Sequence, residues 1–322
     1  MIVTLTLNPS LDLTYALAED TLGAIEVHRA RTSSLEASGK GVNVSRALHA
    51  AGVPSIAVLP AGGRTGHHLG ELLEAEGLQH VLVPVTGETR INTSLLLASG
   101  QTVKVNGPGE ALPRPDLDRL LDVLASVLAT APEDGTERWL AICGSLPPSL
   151  APDVVGEFVD LAHRHTFRSA VDISGPPLAV AVRAHADLLA PNRLELGELV
   201  GVDVAEAALP DLARAALLLA ADHAIELIVS MGSEGAIHTD GTQVLHGSGP
   251  ALVPVNTAGA GDALLAGWLA EPGTPHERMA RALAWGRSAC LSPTTVDRAP
   301  GTRGLDGITV TAINNVPERS PS

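Results

Sequence analysis

Residues 256–270 read NTAGAGDALLAGWLA, and they place one carboxylate, Asp262, directly after a glycine-alanine-glycine turn and at the start of an apolar helical pattern. A helix N-terminus presents unpaired backbone N–H groups and the positive end of the helix dipole, so it binds anions. Glycines at 259 and 261 would let that backbone approach a ligand closely. Asp262 therefore either caps the helix or takes part in chemistry beside a bound anion.

An anion-binding turn and a carboxylate make sense together where a phosphoryl group is transferred. The amides would stabilise charge on the phosphoryl oxygens while the carboxylate takes the proton from an attacking hydroxyl. The loop is not a Walker A sequence, since the Gly-Lys of SGKGVNV (38–44) is followed by Gly41 rather than Ser or Thr. The chain also contains no G-x-G-x-x-G dinucleotide fingerprint.

Composition limits the class of protein. The chain has 322 residues, 45% of them apolar, but only two Phe, three Trp and one Tyr. Its core must therefore be built from Ala, Leu and Val, which suits helices laid on a buried parallel sheet. The formal net charge of -15 argues against a nucleic-acid partner, whereas a small anionic substrate needs only a few local Lys or Arg side chains.

The two cysteines, Cys143 and Cys290, stand in apolar contexts and form no C-x-x-C motif, which predicts unpaired thiols and a reducing compartment. The first residues, MIVTLTLN, have the pattern of a strand rather than of a signal peptide. No apolar run approaches the roughly 18 residues of a membrane span. We therefore expect a cytoplasmic protein with no membrane partner.

Short β-rich runs alternate with helical patterns along most of the chain, which predicts an α/β, doubly wound, mostly parallel sheet with right-handed crossovers. Two segments, at about 10–35 and 88–106, break this order with β-type alternation and the hairpin turn ASGQT. They predict a small separate β-sheet belonging to one domain that spans 1–322. The tail after Pro300 becomes polar and proline-rich, and we expect it to be frayed.

The stretch SGKGVNVSRALHAAG (38–52) resembles the N-terminal signature of the phosphofructokinase B type sugar kinases, which have the ribokinase-like fold, and NTAGAGDALLAGWLA resembles their C-terminal signature. Further segments similar to the family occur in its order: TLNPSLDLTY (6–15), TRINTSLL (89–96), GSLPPSL (144–150), LLAPNRLELGELVG (188–201) and VSMGSEGA (229–236). The resemblance covers essentially the whole chain. It implies an ATP-dependent sugar kinase that uses Mg²⁺.

The resemblance implies a role for each residue that matches the family's motifs. Asp262 would be the catalytic base, and the amides of Gly259, Ala260 and Gly261 would form the anion hole. Asn192 and Glu195 match the Asn-x-x-Glu motif, which orders Mg²⁺ largely through water, although an ordinary helix cap with a first-turn acid is the alternative. Ser230, Gly232 and Gly235 would line the nucleotide site, unless the glycines only serve a turn between strands.

On the sugar side, the resemblance implies contacts from Asp12, Gly39, Lys40, Asn43 and Ser145. Arg90 and Lys40 are candidates for binding a substrate phosphate, since Arg pairs with phosphate through two parallel hydrogen bonds. The alternatives are a turn residue for Asp12, a solvated charge for Lys40, a helix cap for Asn43 and a surface salt bridge for Arg90. In the family the small sheet forms a lid over the sugar that excludes water. Its exposed edges could pair with a second subunit as a homodimer.

The form TLNPSLDLTY is similar to the branch of the family that acts on sugar phosphates, which favours fructose 1-phosphate, with tagatose 6-phosphate and fructose 6-phosphate as alternatives. Three departures from the family's pattern are Ser38 for a glycine, Asn256 for an acid, and VNGPGEAL (105–112), which resembles the branch's Asn-Glu-x-Gly-Pro motif only loosely because it lacks the Glu after the Asn. A kinase of an unphosphorylated sugar or nucleoside, and a sugar-phosphate-binding protein without catalysis, are the remaining alternatives.

Overall fold

The computed structural model describes residues 1–23, 27–132, 135–202, 204, 207–292, 294–297, 299–301 and 306–313. The strands within these ranges are β1 Ile2–Thr6, β2 Ser10–Ala16, β3 Thr32–Ser38, β4 Ser55–Ala61, β5 His80–Pro84, β6 Arg90–Leu96, β7 Thr102–Asn106, β8 Trp139–Cys143, β9 Arg168–Asp172, β10 Leu188–Leu189, β11 Glu226–Ser230, β12 Ala236–Thr239, β13 Val244–Ser248 and β14 Thr309–Ala312. The α-helices are α1 Lys40–Ala50, α2 Gly63–Ala75, α3 Arg114–Thr130, α4 Val154–Arg164, α5 Pro176–Arg183, α6 Arg193–Val200, α7 Leu209–His223, α8 Ala260–Leu269 and α9 Pro275–Cys290.

A ten-stranded sheet runs in the order β14-β13-β12-β11-β10-β9-β8-β1-β4-β5. The seven strands from β11 to β5 are parallel, and β12, β13 and β14 add to one edge as antiparallel strands. The predicted doubly wound, mostly parallel α/β sheet is confirmed. The expectation of a frayed tail is wrong for Thr309–Ala312, because β14 completes the hydrogen bonding of the β13 edge. The polar end of the tail, 314–322, lies outside the described residues.

Both faces of the large sheet are covered, which explains why its central strands β1 and β8 are buried at every position. Alternate residues of each strand point to opposite faces, so Leu140 and Ile142 join the core under α3, α4, α5 and α7. Trp139 and Ala141 join a second core under α1, α8 and α9. Because aromatic residues are so few, most of the volume of both cores comes from Leu, Val and Ala.

The small sheet has the order β3-β2-β6-β7. Its strands fall in the two segments that the sequence singled out, and the predicted ASGQT turn joins β6 to β7, with Gly100 at φ +84°. One end of the sheet is anchored, since Leu11 and Ala37 are buried with Leu69 and Leu73 of α2. At the edge of this sheet, strand β7 is exposed along its whole length.

Within the described ranges, no helix is both long and apolar enough to cross a membrane.

Candidate active site

The candidate site lies at the carboxyl ends of the parallel strands, where β1 has β4 on one side and β8 on the other. The chain leaves β1 toward β4 and β5 and later returns to β8 and β9, so this is the point at which the strand order reverses. Open α/β sheets bind ligands at such a point. The N-termini of α1 and α8, which carry the two motif sequences, meet here.

Asp262 is buried in the first turn of α8, with 6% of its surface exposed. Its Oδ2 accepts a hydrogen bond of 2.8 Å from Nδ2 of Asn43, which belongs to α1. The carboxylate is therefore bound by a second helix, 219 positions away in the sequence, rather than being used to cap its own. Asn43 is buried too, and its Oδ1 has no hydrogen-bond partner among the described residues.

Burial raises the pKa of Asp262 from 3.8 to about 7, and the nearby Asp172 carboxylate adds to the increase. The hydrogen bond from Asn43 and the Lys40 ammonium act in the opposite direction, because both favour the charged form. A carboxylate with a pKa near neutrality can both accept a proton and release it again at physiological pH.

Lys40, at the first position of α1, pairs with Asp172, whose Oδ1 lies 2.7 Å from the Lys40 Nζ. Burial by itself would lower the pKa of Lys40, but the Asp172 carboxylate more than offsets this and raises it. The sequence analysis missed Asp172. The signal was present, since this acid ends a buried strand, RSAVD, at the edge of the sheet where parallel strands place ligand-binding groups.

The glycines of the α8 turn have different tasks. Gly259 is the residue before the helix and has a left-handed backbone, and a Cβ there would lie 2.1 Å from the Thr295 carbonyl oxygen. The fold itself therefore requires a glycine at position 259, so this residue is explained without a ligand. At Gly261 a Cβ would meet nothing within 4 Å, so the space beside this residue is open.

A cavity of about 460 Å³ opens in front of this turn. Ser230, Gly232 and Gly235, the residues predicted to bind nucleotide, line it together with Ala260 and Gly261. Apolar side chains also line the cavity, namely those of Pro250, Leu252, Pro254, Leu264 and Leu283. An apolar cleft that ends at the N-terminus of a helix suits a ligand with a flat ring system at one end and phosphates at the other.

Asn192 and Glu195 form a capping box at the start of α6, in which each side chain accepts a hydrogen bond from the other residue's backbone amide. The second Glu195 oxygen accepts the Ser174 hydroxyl at 2.6 Å. Asn192 also bridges to Ser230, which brings this motif to the edge of the nucleotide cavity. In the described part of the chain no three acidic, His or Cys side chains cluster as a metal centre.

Whether Mg²⁺ fits this motif depends on how many acceptor positions of the Glu195 carboxylate the capping box leaves unused. Each Glu195 oxygen accepts one hydrogen bond from the protein, although a carboxylate has about four acceptor positions. The motif therefore has capacity for the water molecules of a hydrated Mg²⁺, which retains several of them when it binds near phosphates.

The small sheet presents one polar face. The register places Asp12 opposite Asn92, and Asn92 opposite Asn106 on the next strand. Asp12 Oδ1 accepts hydrogen bonds from the Ser10 hydroxyl and from Nδ2 of Asn92, at 2.7 and 2.9 Å. The second oxygen of Asp12 receives no hydrogen bond from the described residues. Asn92, two positions after Arg90 and therefore on the same face, was not predicted.

Arg90 begins β6 on this polar face. One guanidinium nitrogen donates to the Gly107 carbonyl at 3.0 Å, and its buried Nε has no partner among the described residues. Burial lowers the pKa of Arg90, although the Asp12 carboxylate acts against this. The alternative of a surface salt bridge does not describe this side chain. The loop that departs from the family's pattern, 105–112, is thus the one that contacts Arg90.

The remaining predicted residues lie between these groups. Gly39 precedes α1 with φ +137°, and a Cβ there would lie 2.5 Å from the Thr6 side chain. Ser38, the departure beside it, ends β3 as an ordinary strand residue paired with Ser10. Ser145 follows β8 and accepts a hydrogen bond of 3.3 Å from Asn8, whose amide also reaches the Pro108 carbonyl.

The fold and this arrangement define the class of protein. The model of the pfkB family carbohydrate kinases matches residues 5–294, and the chain belongs to that family. The resemblance inferred from the two signature sequences is therefore confirmed, and the protein is a kinase.

Individual relatives agree with this assignment. The chain is 34% identical to the 1-phosphofructokinase of Bacillus subtilis over 272 residues, which are 84% of this chain and 85% of that one. It is 31% identical to the ATP-dependent 6-phosphofructokinase isozyme 2 of Escherichia coli, covering 91% and 94% of the two chains. The crystal structure of Escherichia coli phosphofructokinase-2 in complex with fructose-6-phosphate superposes with a TM-score of 0.81 at 30% identity, covering 90% and 93%.

Proposed function

We propose that this kinase transfers the terminal phosphoryl group of ATP to a hydroxyl of a fructose phosphate, with fructose 1-phosphate as the favoured substrate. The observation that carries the proposal is the buried Asp262 carboxylate, which lies one residue from Gly261 at the N-terminus of α8, where Gly261 lines the proposed nucleotide cavity. The base and the anion site are thus next to each other.

In this proposal Asp262 takes the proton from the attacking sugar hydroxyl as the new O–P bond forms. The bond from the terminal phosphorus to the bridging oxygen breaks at the same time, and ADP leaves. The first-turn amides of α8, at Gly259, Ala260 and Gly261, stabilise the charge on the transferred group. Asn43 holds the carboxylate in place for this step.

The nucleotide end is assigned to the cavity lined by Ser230, Gly232 and Gly235. Glu195 and Asn192 would hold Mg²⁺ mostly through its water molecules. When bound, this cation neutralises charge on the phosphates. The protein's own part is to fix the orientation of Glu195, which the capping box and the Ser174 hydroxyl achieve.

The sugar phosphate is assigned to the polar face of the small sheet and to the loop before α1. Asp12, Gly39, Asn43 and Ser145 would contact the sugar, while Arg90 binds its phosphate. The Arg90 Nε is buried without a partner, which is costly unless a ligand completes it. Lys40 keeps two N–H donors beyond the one used by Asp172, so it can also face a phosphate.

Two relatives bear on the choice of sugar. The Bacillus subtilis relative is named 1-phosphofructokinase, and the Escherichia coli relative is named a 6-phosphofructokinase. The higher identity to the first supports fructose 1-phosphate, and the product would be fructose 1,6-bisphosphate. Fructose 6-phosphate and tagatose 6-phosphate are the next candidates, and an unphosphorylated sugar or nucleoside would leave Arg90 without its partner.

We further propose that the small sheet acts as a lid over the sugar and pairs with the lid of a second copy in a homodimer. Opposite to its polar face, the sheet exposes Ile91, Val103 and Val105, at 44%, 40% and 63%. A similar Escherichia coli structure is described as a tetrameric inhibited form of phosphofructokinase-2. The unpaired thiols, Cys143 and Cys290, support a cytoplasmic location.

The test is a substrate panel measured by ADP release with ATP and Mg²⁺. Fructose 1-phosphate should give the highest kcat/KM, ahead of fructose 6-phosphate, tagatose 6-phosphate and fructose. Asp262→Asn should lower kcat with the best substrate by ~10²-fold or more, the scale for loss of a general base. A preference for unphosphorylated sugars, or full activity of Asp262→Asn, would refute the proposal.

A further inference from the structure

The proposed mechanism gives no task to Asp172. This acid ends β9, is 94% shielded from solvent and lies at the centre of the site. Its Oδ1 accepts the Lys40 ammonium at 2.7 Å, and the Lys40 side chain keeps 40% of its surface exposed toward the site. A carboxylate is costly to bury, and a single cation compensates that cost only in part.

The first turn of α1 contains both Lys40 and Asn43, three residues apart and so on one face of the helix. Lys40 reaches Asp172, and Asn43 reaches Asp262. Two buried carboxylates are thus bound by one helical turn, each through a different side chain. The Lys40 ammonium binds Asp172, and the neutral Asn43 amide binds Asp262, the proposed base.

This division matters because an ammonium group paired with Asp262 would occupy the oxygens that the sugar hydroxyl needs. It would also make the carboxylate a weaker base, since a cation in contact with an acid favours its charged form. An amide donor fixes the orientation of a carboxylate at a smaller cost in basicity. Something must therefore keep Lys40 away from Asp262.

We propose that Asp172 is a positioning residue that holds the Lys40 ammonium away from Asp262, so that the base stays available to the sugar hydroxyl while the ammonium still faces the transferred phosphoryl group. This inference rests on the proposed function. Asp172 acts through Lys40 and does not contact the reacting atoms. The same pairing fixes the Lys40 side chain, which would otherwise have many rotamers.

The ionisable groups around Asp262 come from four elements. Asp172 on β9 raises the pKa of Asp262, Lys40 on α1 lowers it, and Cys143 at the end of β8 is buried with a raised pKa, which keeps the thiol neutral. Glu195 on α6 faces Asp172 and raises the pKa of that acid. When Asp172 loses its charge, Lys40 is left with Asp262 as the nearest buried carboxylate.

The experiment is a double-mutant cycle of Asp172→Asn and Lys40→Met, with pH profiles of kcat/KM and kcat for the four proteins. In the wild-type background Asp172→Asn should move the acid limb of the kcat/KM profile about one pH unit lower, since a cation next to an acid lowers its pKa by at least that amount. It should also lower kcat at pH 8 by ~10-fold, because a weaker base is a poorer proton acceptor. In the Lys40→Met background the same substitution should change both quantities by less, since only the direct repulsion between the Asp172 and Asp262 carboxylates is then lost.

The control variant is Glu137→Gln, which removes the ion pair between Glu137 and the buried Arg278. Glu137 lies just before β8, at the end of the parallel strands opposite to the candidate site. It should leave the pH profile unchanged, whatever it does to the melting temperature. A melting curve for each variant identifies any that fail to fold, and Asp172→Glu, which keeps the charge, should retain the wild-type acid limb.

Equal effects of Asp172→Asn in both backgrounds would overturn the inference. So would a loss of activity that is restored by raising the Mg²⁺ concentration, since Asp172 would then act on the cation rather than on Lys40. Failure of the proposed function is distinguishable from failure of this inference. The first would appear as full activity of Asp262→Asn, a variant that is not part of the cycle between Lys40 and Asp172.

Discussion

At the scale of single residues, the proposed chemistry depends on the burial of one carboxylate. Water stabilises a charged carboxylate far better than the protein interior does, so removal of Asp262 from water raises its pKa to about 7. An exposed Asp with a pKa of 3.8 would be a much weaker base. The hydrogen bond from Asn43 limits the increase and fixes the orientation of the group.

The first prediction concerns pH. Asp262 accepts a proton only when it is ionised, so kcat/KM should fall tenfold per unit as the pH decreases below about 7, the pKa of this acid. A pH profile with a phosphosugar at low concentration measures the acid limb. Asn43→Ala removes the hydrogen bond that favours the charged form, so its limb should move to higher pH. A limb near pH 4 in the wild type would mean that Asp262 is not the titrating group.

The second prediction concerns Arg90. Arg90→Ala should raise KM for the phosphosugar by ~10-fold or more, since a hydrogen bond to a charged group contributes about 1.5–3 kcal/mol. KM for ATP should hardly change, because Arg90 does not line the proposed nucleotide cavity. Arg114→Ala, which removes an exposed Arg of α3 that pairs with Asp118 and with Glu157 of α4, is the matched control. Parallel increases in both KM values would indicate a folding defect rather than a lost phosphate contact.

At the scale of elements, three helix starts serve the site in different ways. Helices α1 and α8 are each preceded by a glycine, Gly39 or Gly259, whose lack of a side chain leaves the first amides without a side-chain cap. Helix α6 begins with a closed capping box, and so does α9, far from the site. Uncapped starts are suited to bind anions, whereas capped ones orient a carboxylate.

The third prediction uses the two capping boxes as a matched pair. Glu195→Gln and Glu277→Gln should lower the melting temperature by similar amounts, because each weakens a box of the same geometry. Only Glu195→Gln should need more Mg²⁺ for half-maximal activity, since the lost charge helps to hold the hydrated cation. Titrations of rate against Mg²⁺ compare them. Superimposable titrations for wild type and Glu195→Gln would leave Glu195 as a helix cap alone.

The fourth prediction separates the two glycines of the α8 turn. Gly259→Ala should lower the melting temperature, because its backbone has φ +78° and the added Cβ would contact the Thr295 carbonyl. Gly261→Ala should fold normally, since its Cβ would enter open space, but it should raise KM for ATP. Thermal unfolding and steady-state kinetics on both variants test this contrast. Normal ATP kinetics for Gly261→Ala would place the phosphates elsewhere.

At the scale of the whole molecule, the small sheet has two unlike faces. Its polar face contains Asp12, Arg90 and Asn92, and its other face is anchored on α2 at one end only. Beyond that anchor, Ile91, Val103 and Val105 are exposed. An apolar sheet face with a free edge strand is a surface on which a second copy can pack.

The fifth prediction follows from this surface. The wild-type protein should sediment as a dimer or a larger even-numbered assembly at micromolar concentration. The double variant Ile91→Glu, Val105→Glu should sediment as a monomer, because the buried charges would be unpaired in the dimer. Leu194→Glu and Val253→Glu alter apolar residues outside the small sheet that are also exposed, and they serve as controls. An unchanged mass for the lid variant would exclude this face as the interface.

Much of this architecture could be predicted because its signals are local. Alternating apolar runs indicate strands, the helical runs between them indicate crossovers, and the turn ASGQT indicates a hairpin. The two signature sequences located Asp262 and the loop around Lys40 because short-range constraints at glycines restrict which residues are possible there. The expectation of a frayed tail was wrong for β14 because this strand is short and mostly exposed, and its pairing with β13 is a contact between distant parts of the chain that no local pattern indicates.

By itself, the sequence determined the α/β class, the family and the position of the acid. Only the tertiary structure decided what surrounds that acid: Asn43 and Asp172 lie 219 and 90 positions away from Asp262 along the chain. Burial, and with it the raised pKa, is a property of the packed site, because it depends on how much water the neighbouring helices exclude. The pairing of Lys40 with Asp172 arises for the same reason, since the fold alone brings the end of β9 to the start of α1.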